Sequence, residues 1–178
     1  MELFEAIKER YSYRGGFKDI AIPVDHLEQI VQAGLDAPSG GNRQTTQFVI
    51  INDPGIIAEV KSAFGDHPYI TTAPAIIAAI VDSKPKPYRE GGFMFVLEDC
   101  AAAIENILLS ITALGYASVW LDGVLRMDGR TAKIGEAIGL PPSKKVQILL
   151  PVGVPQETLP RREKLPFKER AWINRYGQ

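Results

Sequence analysis

Leu97-Glu-Asp-Cys-Ala-Ala-Ala-Ile-Glu-Asn-Ile-Leu-Leu-Ser-Ile-Thr-Ala-Leu114 is the longest helix candidate in the chain. It has neither proline nor glycine. Ala101, Ile104, Ile107, Leu108, Ile111 and Leu114 cover most of a helical circumference, and Glu98, Asp99, Glu105 and Asn106 are almost its only strongly polar positions. A helix that is apolar on most sides is buried on most sides. In a chain of 178 residues, one copy can hardly wrap such a helix. Partial burial by a second copy is therefore expected, with a central core helix of a monomer as the alternative.

Outward from that helix, strands alternate with helices. Gln47 to Ile51, Ala75 to Val81, Tyr116 to Leu121 and Lys145 to Gly153 are short, apolar, β-rich runs. Glu2 to Arg10 reads as a helix with Leu3, Phe4 and Ile7 on one face. A second helix follows Ile22-Pro23-Val24, with Asp25 as N-cap and Leu27, Ile30, Val31 and Leu35 at helical spacing. Helices are also expected over Ile56–Phe64 and Arg130–Ile138. Pro38-Ser-Gly-Gly-Asn42 breaks the second helix, and Ser83 to Met94 is a loop. The pattern predicts one domain over 1–178 with a sheet flanked by helices, closed by a charged tail, 158–178, that carries Trp172 and Tyr176.

Composition removes several classes of function. The net charge is −1, so no global field points to nucleic acid or an anionic membrane. One cysteine, Cys100, and two histidines, His26 and His67, exclude an internal disulfide framework and a cysteine zinc site, and no metal is expected. The first residues read as a charged amphipathic helix, not a signal peptide. No apolar run reaches the ~18 residues of a membrane span, so a cytoplasmic protein is expected. The nucleophile elbow, the phosphate-loop lysine motif and a dinucleotide fingerprint after a strand are all missing. So poor an inventory of acids, bases and nucleophiles suits chemistry delegated to a cofactor.

The basic positions fit that idea. Arg10, Ser12 and Arg14 alternate, so extended backbone would point all three one way, and two guanidiniums with a hydroxyl suit a phosphate monoester. Arg161, Arg162 and Lys164 form a second cluster. Each cluster could equally be solvated surface. Pro38 to Gln44 is rich in glycine and amides, which can approach and read a flat heterocycle or merely connect two elements.

These segments together resemble the nitroreductase family of flavoproteins. Arg10-Tyr-Ser-Tyr-Arg14 … Phe17 resembles its R-x-S-x-R-x-F opening. Ala37-Pro-Ser-Gly-Gly-Asn-Arg-Gln44 … Phe48 resembles A-P-S-x-x-N-x-Q-P-W-x-F. Glu98-Asp99 with its long helix and Leu114-Gly-Tyr-Ala-Ser-Val-Trp120 resemble D-x-x-x-A … L-G-x-x-x-x-W. Gly139-Leu-Pro-Pro142, Leu149-Leu-Pro-Val-Gly-Val-Pro155 and Arg162-Glu-Lys164-Leu-Pro166 resemble its closing motifs. Two departures stand out: Thr45-Thr46 replace Pro-Trp, and Gly15-Gly16 add a residue before Phe17.

The resemblance implies an α+β sandwich, a central and mostly antiparallel sheet flanked by helices, in an intertwined homodimer with FMN at the interface. The tail would reach over the partner, with Trp172 and Tyr176 as buried anchors. Arg10, Ser12, Arg162 and Lys164 would hold the FMN phosphate, with Tyr11 beside them. Arg14 would face the N1/C2=O side of the ring as a tuning cation. Pro38, Ser39, Gly40, Asn42 and Gln44 would approach from the other subunit, and Leu121, Asp122 and Gly123 would offer backbone contact near N5. The resemblance names no catalytic side chain, because flavin N5 carries the chemistry. It implies a ping-pong oxidoreductase fed by NADH or NADPH and reducing a small acceptor such as a nitroaromatic, quinone or flavin. A dehalogenase-like or FMN-consuming enzyme of the same fold, or a non-catalytic flavin-binding protein, are its alternatives. Ser83 to Met94, with Tyr88, Arg89 and Phe93, is a candidate lid, and Asp99 is read as a structural residue at the helix N-terminus.

Overall fold

The computed structural model describes residues 1–88 and 92–177. Helix α1 (Leu3–Glu9) and helix α2 (Val24–Leu35) precede strand β1 (Gln47–Ile51). Helices α3 (Pro54–Ser62) and α4 (Pro68–Thr71) lead to β2 (Ala75–Asp82). The long helix is α5 (Val96–Ala113), followed by β3 (Ala117–Ser118), a 3-10 turn (Gly123–Arg126), α6 (Arg130–Ala137), β4 (Lys144–Gly153) and the short α7 (Phe167–Arg170). The four strands lie in the order β1-β2-β4-β3, and every pairing is antiparallel.

The central strand β2 reads as an unbroken apolar run because both of its faces are covered. Ile76, Ala78 and Ile80 pack with Tyr13, Phe17 and the α3 and α6 residues Ile57, Val60 and Ile134. Ala75, Ile77, Ala79 and Val81 pack against Leu27 and Ile30 of α2 and Ile104, Ile107 and Ile111 of α5. Helices α2 and α5 cross closely: a side-chain carbon at Gly34 would lie 2.6 Å from Ile107 Cδ1, and Asn106 Nδ2 donates to the Ala33 carbonyl at 3.0 Å. Between β2 and β4 the register jumps from Ile80↔Val146 to Ala79↔Ile148. This β-bulge leaves Gln147 as the extra residue.

Some caps and element bounds differ from the expectation, and one chain alone leaves apolar surface uncovered. The α1 face carrying Leu3, Phe4 and Ile7 is exposed in the single chain, and Ala6 is the residue that α1 buries. Pro23, not Asp25, occupies the N-cap of α2, and Asp25 lies in the first turn. Asp53 caps α3 instead, accepting from the Gly55 and Ile56 amides at 2.8 and 3.0 Å, which starts that helix two residues before the expected Ile56. The third strand shortens to Ala117–Ser118, with one further bridge at Leu121↔Leu149. Trp172 and Tyr176 pack on each other, ring centroids 4.2 Å apart, and Tyr176 is 87% exposed within one chain. The chain alone buries the side of α5 formed by Cys100, Ala103, Ile104, Ile107, Leu108 and Ile111. It leaves Leu97 exposed and Ala101, Ala102 and Leu109 half-buried. No helix among the described residues is long and apolar enough to cross a membrane.

Candidate functional site

Arg10 ends α1 in extended backbone. The segment that follows alternates as expected: Ser12 and Arg14 are exposed while Tyr13 is fully buried. Two bonds hold that register. Tyr13 N donates to the Ser118 carbonyl at 2.9 Å, and Tyr13 Oη donates to the Gly16 carbonyl at 2.6 Å. The added Gly15-Gly16 has a physical reason here. A side-chain carbon at Gly15 would lie 2.6 Å from Tyr13 Oη, and one at Gly16 would lie 2.5 Å from Gln156 Oε1. The two glycines let the backbone close over Tyr13 and deliver Phe17 to the core.

The C-terminal segment returns to this strip. Arg161 pairs with the Glu9 carboxylate, donates to the Lys8 carbonyl at 3.3 Å and lies 4.9 Å from the Tyr11 ring centroid. The guanidinium holds the Glu9 carboxyl below its ordinary range. Arg162 and Lys164, one and three residues further on, are exposed. Arg10 pairs with Glu105 at 3.0 Å, and Arg14 reaches the Ser12 carbonyl at 3.5 Å. A cavity of about 40 Å³ lies under the strip, lined by Arg10, Tyr11 and Ser118 among others. The Ser118 hydroxyl is buried and has no hydrogen-bond partner among the described residues.

The Pro38–Gln44 segment is pinned. Asp99, 6% exposed, accepts from the Gly40 amide and from Thr45 Oγ1, both at 2.7 Å. Ser39 Oγ accepts from the Gln44 amide at 2.9 Å. Gly41, Asn42 and Gln44 all have positive φ, between 51° and 58°, and the turn bonds to itself, Asn42 N donating to the Ser39 carbonyl at 2.9 Å. Thr45 therefore does what proline could not, because its hydroxyl ties the turn to α5. A cleft of about 300 Å³ is lined by Pro38, Ser39, Gln44, Thr45, Thr46 and Asp99 among others. Against the turn lie Lys86, Pro87, Tyr88 and Phe95. Arg43 donates to the Lys86 and Pro87 carbonyls at 3.3 and 3.0 Å, Phe95 covers Gly40, and Tyr88 covers Gly41. Arg89 lies outside the described residues.

Leu121 is buried and exchanges backbone bonds with Leu149, each 3.0 Å. Asp122 binds Arg126 through two 2.9 Å bonds. Gly123 opens the 3-10 turn, exposed and with free space where a side chain would be. Arg130 braces this turn by donating to the carbonyls of Val124 at 3.0 Å and Ala63 at 2.8 Å. A cleft of about 260 Å³ opens beside it.

The sequence reading missed Asp99's grip on the turn and the parts played by Arg130 and Arg161. The one visible signal for Gln147, which lines the 260 Å³ cleft, was an amide inside an apolar strand run. A larger depression, about 570 Å³ and containing Lys61, contains none of the predicted residues.

Within one chain, the strip and the turn reach α5 on different sides. Glu105 and Asp99 are six residues apart, so they lie roughly 120° apart around the axis and about 9 Å along it. Comparison with known proteins decides what this frame is. The profile of the Nitroreductase family matches residues 7–68 and 58–154.

The chain belongs to the nitroreductase family.

An Archaeoglobus fulgidus protein provisionally named NADH dehydrogenase/NAD(P)H nitroreductase is 32% identical over 155 residues, covering 86% of this chain and 87% of the relative. An NADPH-dependent oxidoreductase of Staphylococcus saprophyticus is 25% identical, covering 98% of this chain and 74% of the relative. The crystal structure of a Bacteroides fragilis nitroreductase with bound FMN superposes with a TM-score of 0.76 at 27% identity, covering 97% of this chain and 98% of that one. The α+β nitroreductase fold with its antiparallel sheet is thus this chain's own.

Proposed function

We propose that the chain is an FMN-dependent NAD(P)H oxidoreductase acting as a homodimer on a small acceptor such as a nitroaromatic, quinone or flavin. The observation that carries this reading is the return of the C-terminal segment to residues 8–11 through Arg161. That return supports a site in which Arg162 and Lys164, one and three residues beyond Arg161, would join the Arg10–Arg14 strip.

The donors present suit FMN. Arg10, Ser12, Arg162 and Lys164 can surround a phosphate, and the orphaned Ser118 hydroxyl marks a polar gap behind Ser12. Bound there, FMN would supply hydride chemistry, taking electrons from NAD(P)H and passing them to the acceptor in ping-pong turns. Arg14 would offer a positive charge to the ring's N1 side, where negative charge is stabilised without a proton transfer. The exposed Gly123 amide, stiffened by Arg130, would donate toward N5. Tyr11 would flank the phosphate, and Leu121 and Asp122 would fix the backbone that carries Gly123. Pro38, Ser39, Gly40, Asn42 and Gln44 would meet the ring from the second copy, in keeping with their place on another side of α5.

A second copy would also cover apolar surface that one chain leaves bare. Phe4 is 84% exposed and Phe167 70%, and Leu3, Ile7, Leu165, Ile173 and Tyr176 are exposed as well. Exposed apolar side chains of this size suit an interface between copies. The 158–178 arm would lie over the partner, with Trp172 and Tyr176 as anchors.

The test is the double variant Arg10→Ala/Lys164→Ala. Its FMN affinity should fall roughly a hundredfold, as expected for two lost charge-assisted contacts, with an unchanged far-UV spectrum. Unchanged affinity in a folded double variant would refute the phosphate assignment.

A further inference from the structure

Ser118 is a hydroxyl in an apolar layer. Its neighbours Ala117, Val119 and Leu121 pack with the core that holds Tyr13 and Phe17, while Tyr116 and Trp120 pack with the layer of α2 and α5. Strand alternation therefore puts the Ser118 side chain on the α5 side. Its strand partner Val152 is packed there among Ile104, Ile107 and Ile111. Ser118 is 3% exposed, and its hydroxyl is one of two buried side-chain polar atoms without a hydrogen-bond partner among the described residues. A buried hydroxyl left unpaired is destabilising, and alanine would fit the layer without that penalty. Buried polar groups are almost always paired, so this exception points to a partner that the chain alone does not supply.

What shares the same face narrows the partner's chemistry. Ser12 and Ser118 sit side by side in a parallel bridge, in a register held by the Tyr13 amide on the Ser118 carbonyl. Tyr11 and Tyr13 pack into the opposite core, so Arg10, Ser12 and Ser118 lie on one side. The cavity of about 40 Å³ beside them is walled by Arg10, Leu108, Ile111, Thr112 and Ser118 among others. That is room for a water. Glu9, the acidic residue lining it, is already paired with Arg161. Arg10 uses its Nε on Glu105 and has further N–H donors. The Thr112 hydroxyl donates to the Leu108 carbonyl at 2.9 Å and keeps its lone pairs to accept. A water here can thus accept from Ser118 and Arg10, donate to Thr112, and has one O–H left for an anion on the strip. We infer that Ser118 donates through a water in this cavity to the phosphate held by Arg10 and Ser12, and so helps the site choose phosphorylated flavin over riboflavin. This inference rests on the oxidoreductase reading and adds a specificity residue to its phosphate site. The hydroxyl weakens the empty fold and strengthens the loaded one.

The test uses the full-length protein, stripped of flavin, and the variant Ser118→Ala. Thermal midpoint without ligand and the Kd values for FMN and for riboflavin are measured on both. The variant's midpoint without ligand should equal or exceed the parent's. Its Kd for FMN should rise about fivefold, as for one lost hydrogen bond. Its Kd for riboflavin, which has no phosphate, should stay within about twofold, under the change assigned to such a bond. Ser118→Cys, whose thiol is a weak donor, should lose most of the same affinity. A crystal structure of the FMN complex should show a water in the cavity within hydrogen-bond distance of Ser118 Oγ.

Unchanged FMN affinity in Ser118→Ala overturns the inference. So does an equal loss for FMN and riboflavin, which would make the hydroxyl a support for the strip. A lowered midpoint without ligand would mean that the hydroxyl has its partner within the chain, and an empty cavity in the FMN complex would remove the water; either overturns it. Should Ser118→Ala fail to fold, Ser118→Cys is judged by the same criteria. If the parent takes up neither flavin, the oxidoreductase reading fails and this inference with it. If parent and variant bind FMN alike, the reading stands and the inference alone fails.

Discussion

The Pro38–Thr45 turn and the C-terminal arm from Pro160 to Gly177 carry comparable parts of the proposed cradle, yet one chain treats them oppositely. The turn is tied to α5 through Asp99, closed on itself through Ser39, and roofed by Tyr88 and Phe95. The arm touches its own chain chiefly through Arg161 and leaves Leu165, Phe167, Ile173 and Tyr176 in solvent. Groups that must meet a flat ring at fixed distance need a rigid support. Groups that must clasp a phosphate at an interface can wait for the partner, and pay their ordering entropy on assembly. The difference separates what the chain preorganises alone from what it completes as a pair.

Removing the arm should break the comparison most severely. Deleting residues 160–178 takes away Arg161, Arg162, Lys164 and the apolar anchors, while keeping Leu159 against the core. Light scattering should then report a monomer, and FMN affinity should drop at least about a hundredfold, with the sheet still folded by circular dichroism.

On the pinned side, Asp99→Ala leaves the Gly40 amide and the Thr45 hydroxyl without their acceptor. A loss of about 3 kcal/mol is expected, read from the denaturant midpoint, with faster hydrogen exchange confined to residues 39–46. An even loss of protection across the sheet would contradict a local role. Gly41→Ala should cost less, about 1–2 kcal/mol, because an L residue must hold a left-handed φ. Its new methyl would also push the Tyr88 ring aside, detectable as altered tyrosine fluorescence.

The smallest effect concerns Cys100, which follows Asp99 on α5. Burial pushes its thiol up to about 11. A thiol whose folded pKa exceeds its unfolded one keeps its proton longer in the fold. It therefore costs nothing below about pH 9 and weakens the fold only as pH rises from the unfolded value through the folded one. At pH 8, dithionitrobenzoate should label Cys100 only in denaturant. Prompt labelling of the native protein would mean that the region beneath the turn opens readily.

Much of this was visible in the amino-acid order. The unalternating run Ala75–Val81 announced a strand covered on both faces, and Leu97–Leu114 announced its helix within one residue at each end. The alternation of Arg10, Ser12 and Arg14 held because Tyr13 is drawn into the core. What stayed hidden depends on long-range contacts. Asp99 looked like a helix-terminal charge because its partners lie 54 and 59 residues away. Arg130 gave no sign that its donors would brace the Gly123 turn. The bulge at Gln147 arises from the pairing of β4 with β2, which no local propensity encodes. The outward-facing apolar side of α1 followed the same helical spacing as a core face and could not be told from one.

The most direct measurement is a visible absorption spectrum of the purified, FMN-reconstituted protein, before and after anaerobic addition of NADPH. The expected result is one flavin per chain, with absorbance near 450 nm typical of oxidised flavin that bleaches on addition and returns when a quinone is admitted. A protein that takes up no FMN, or whose bound FMN keeps its colour under NADPH and NADH alike, would contradict the proposed oxidoreductase.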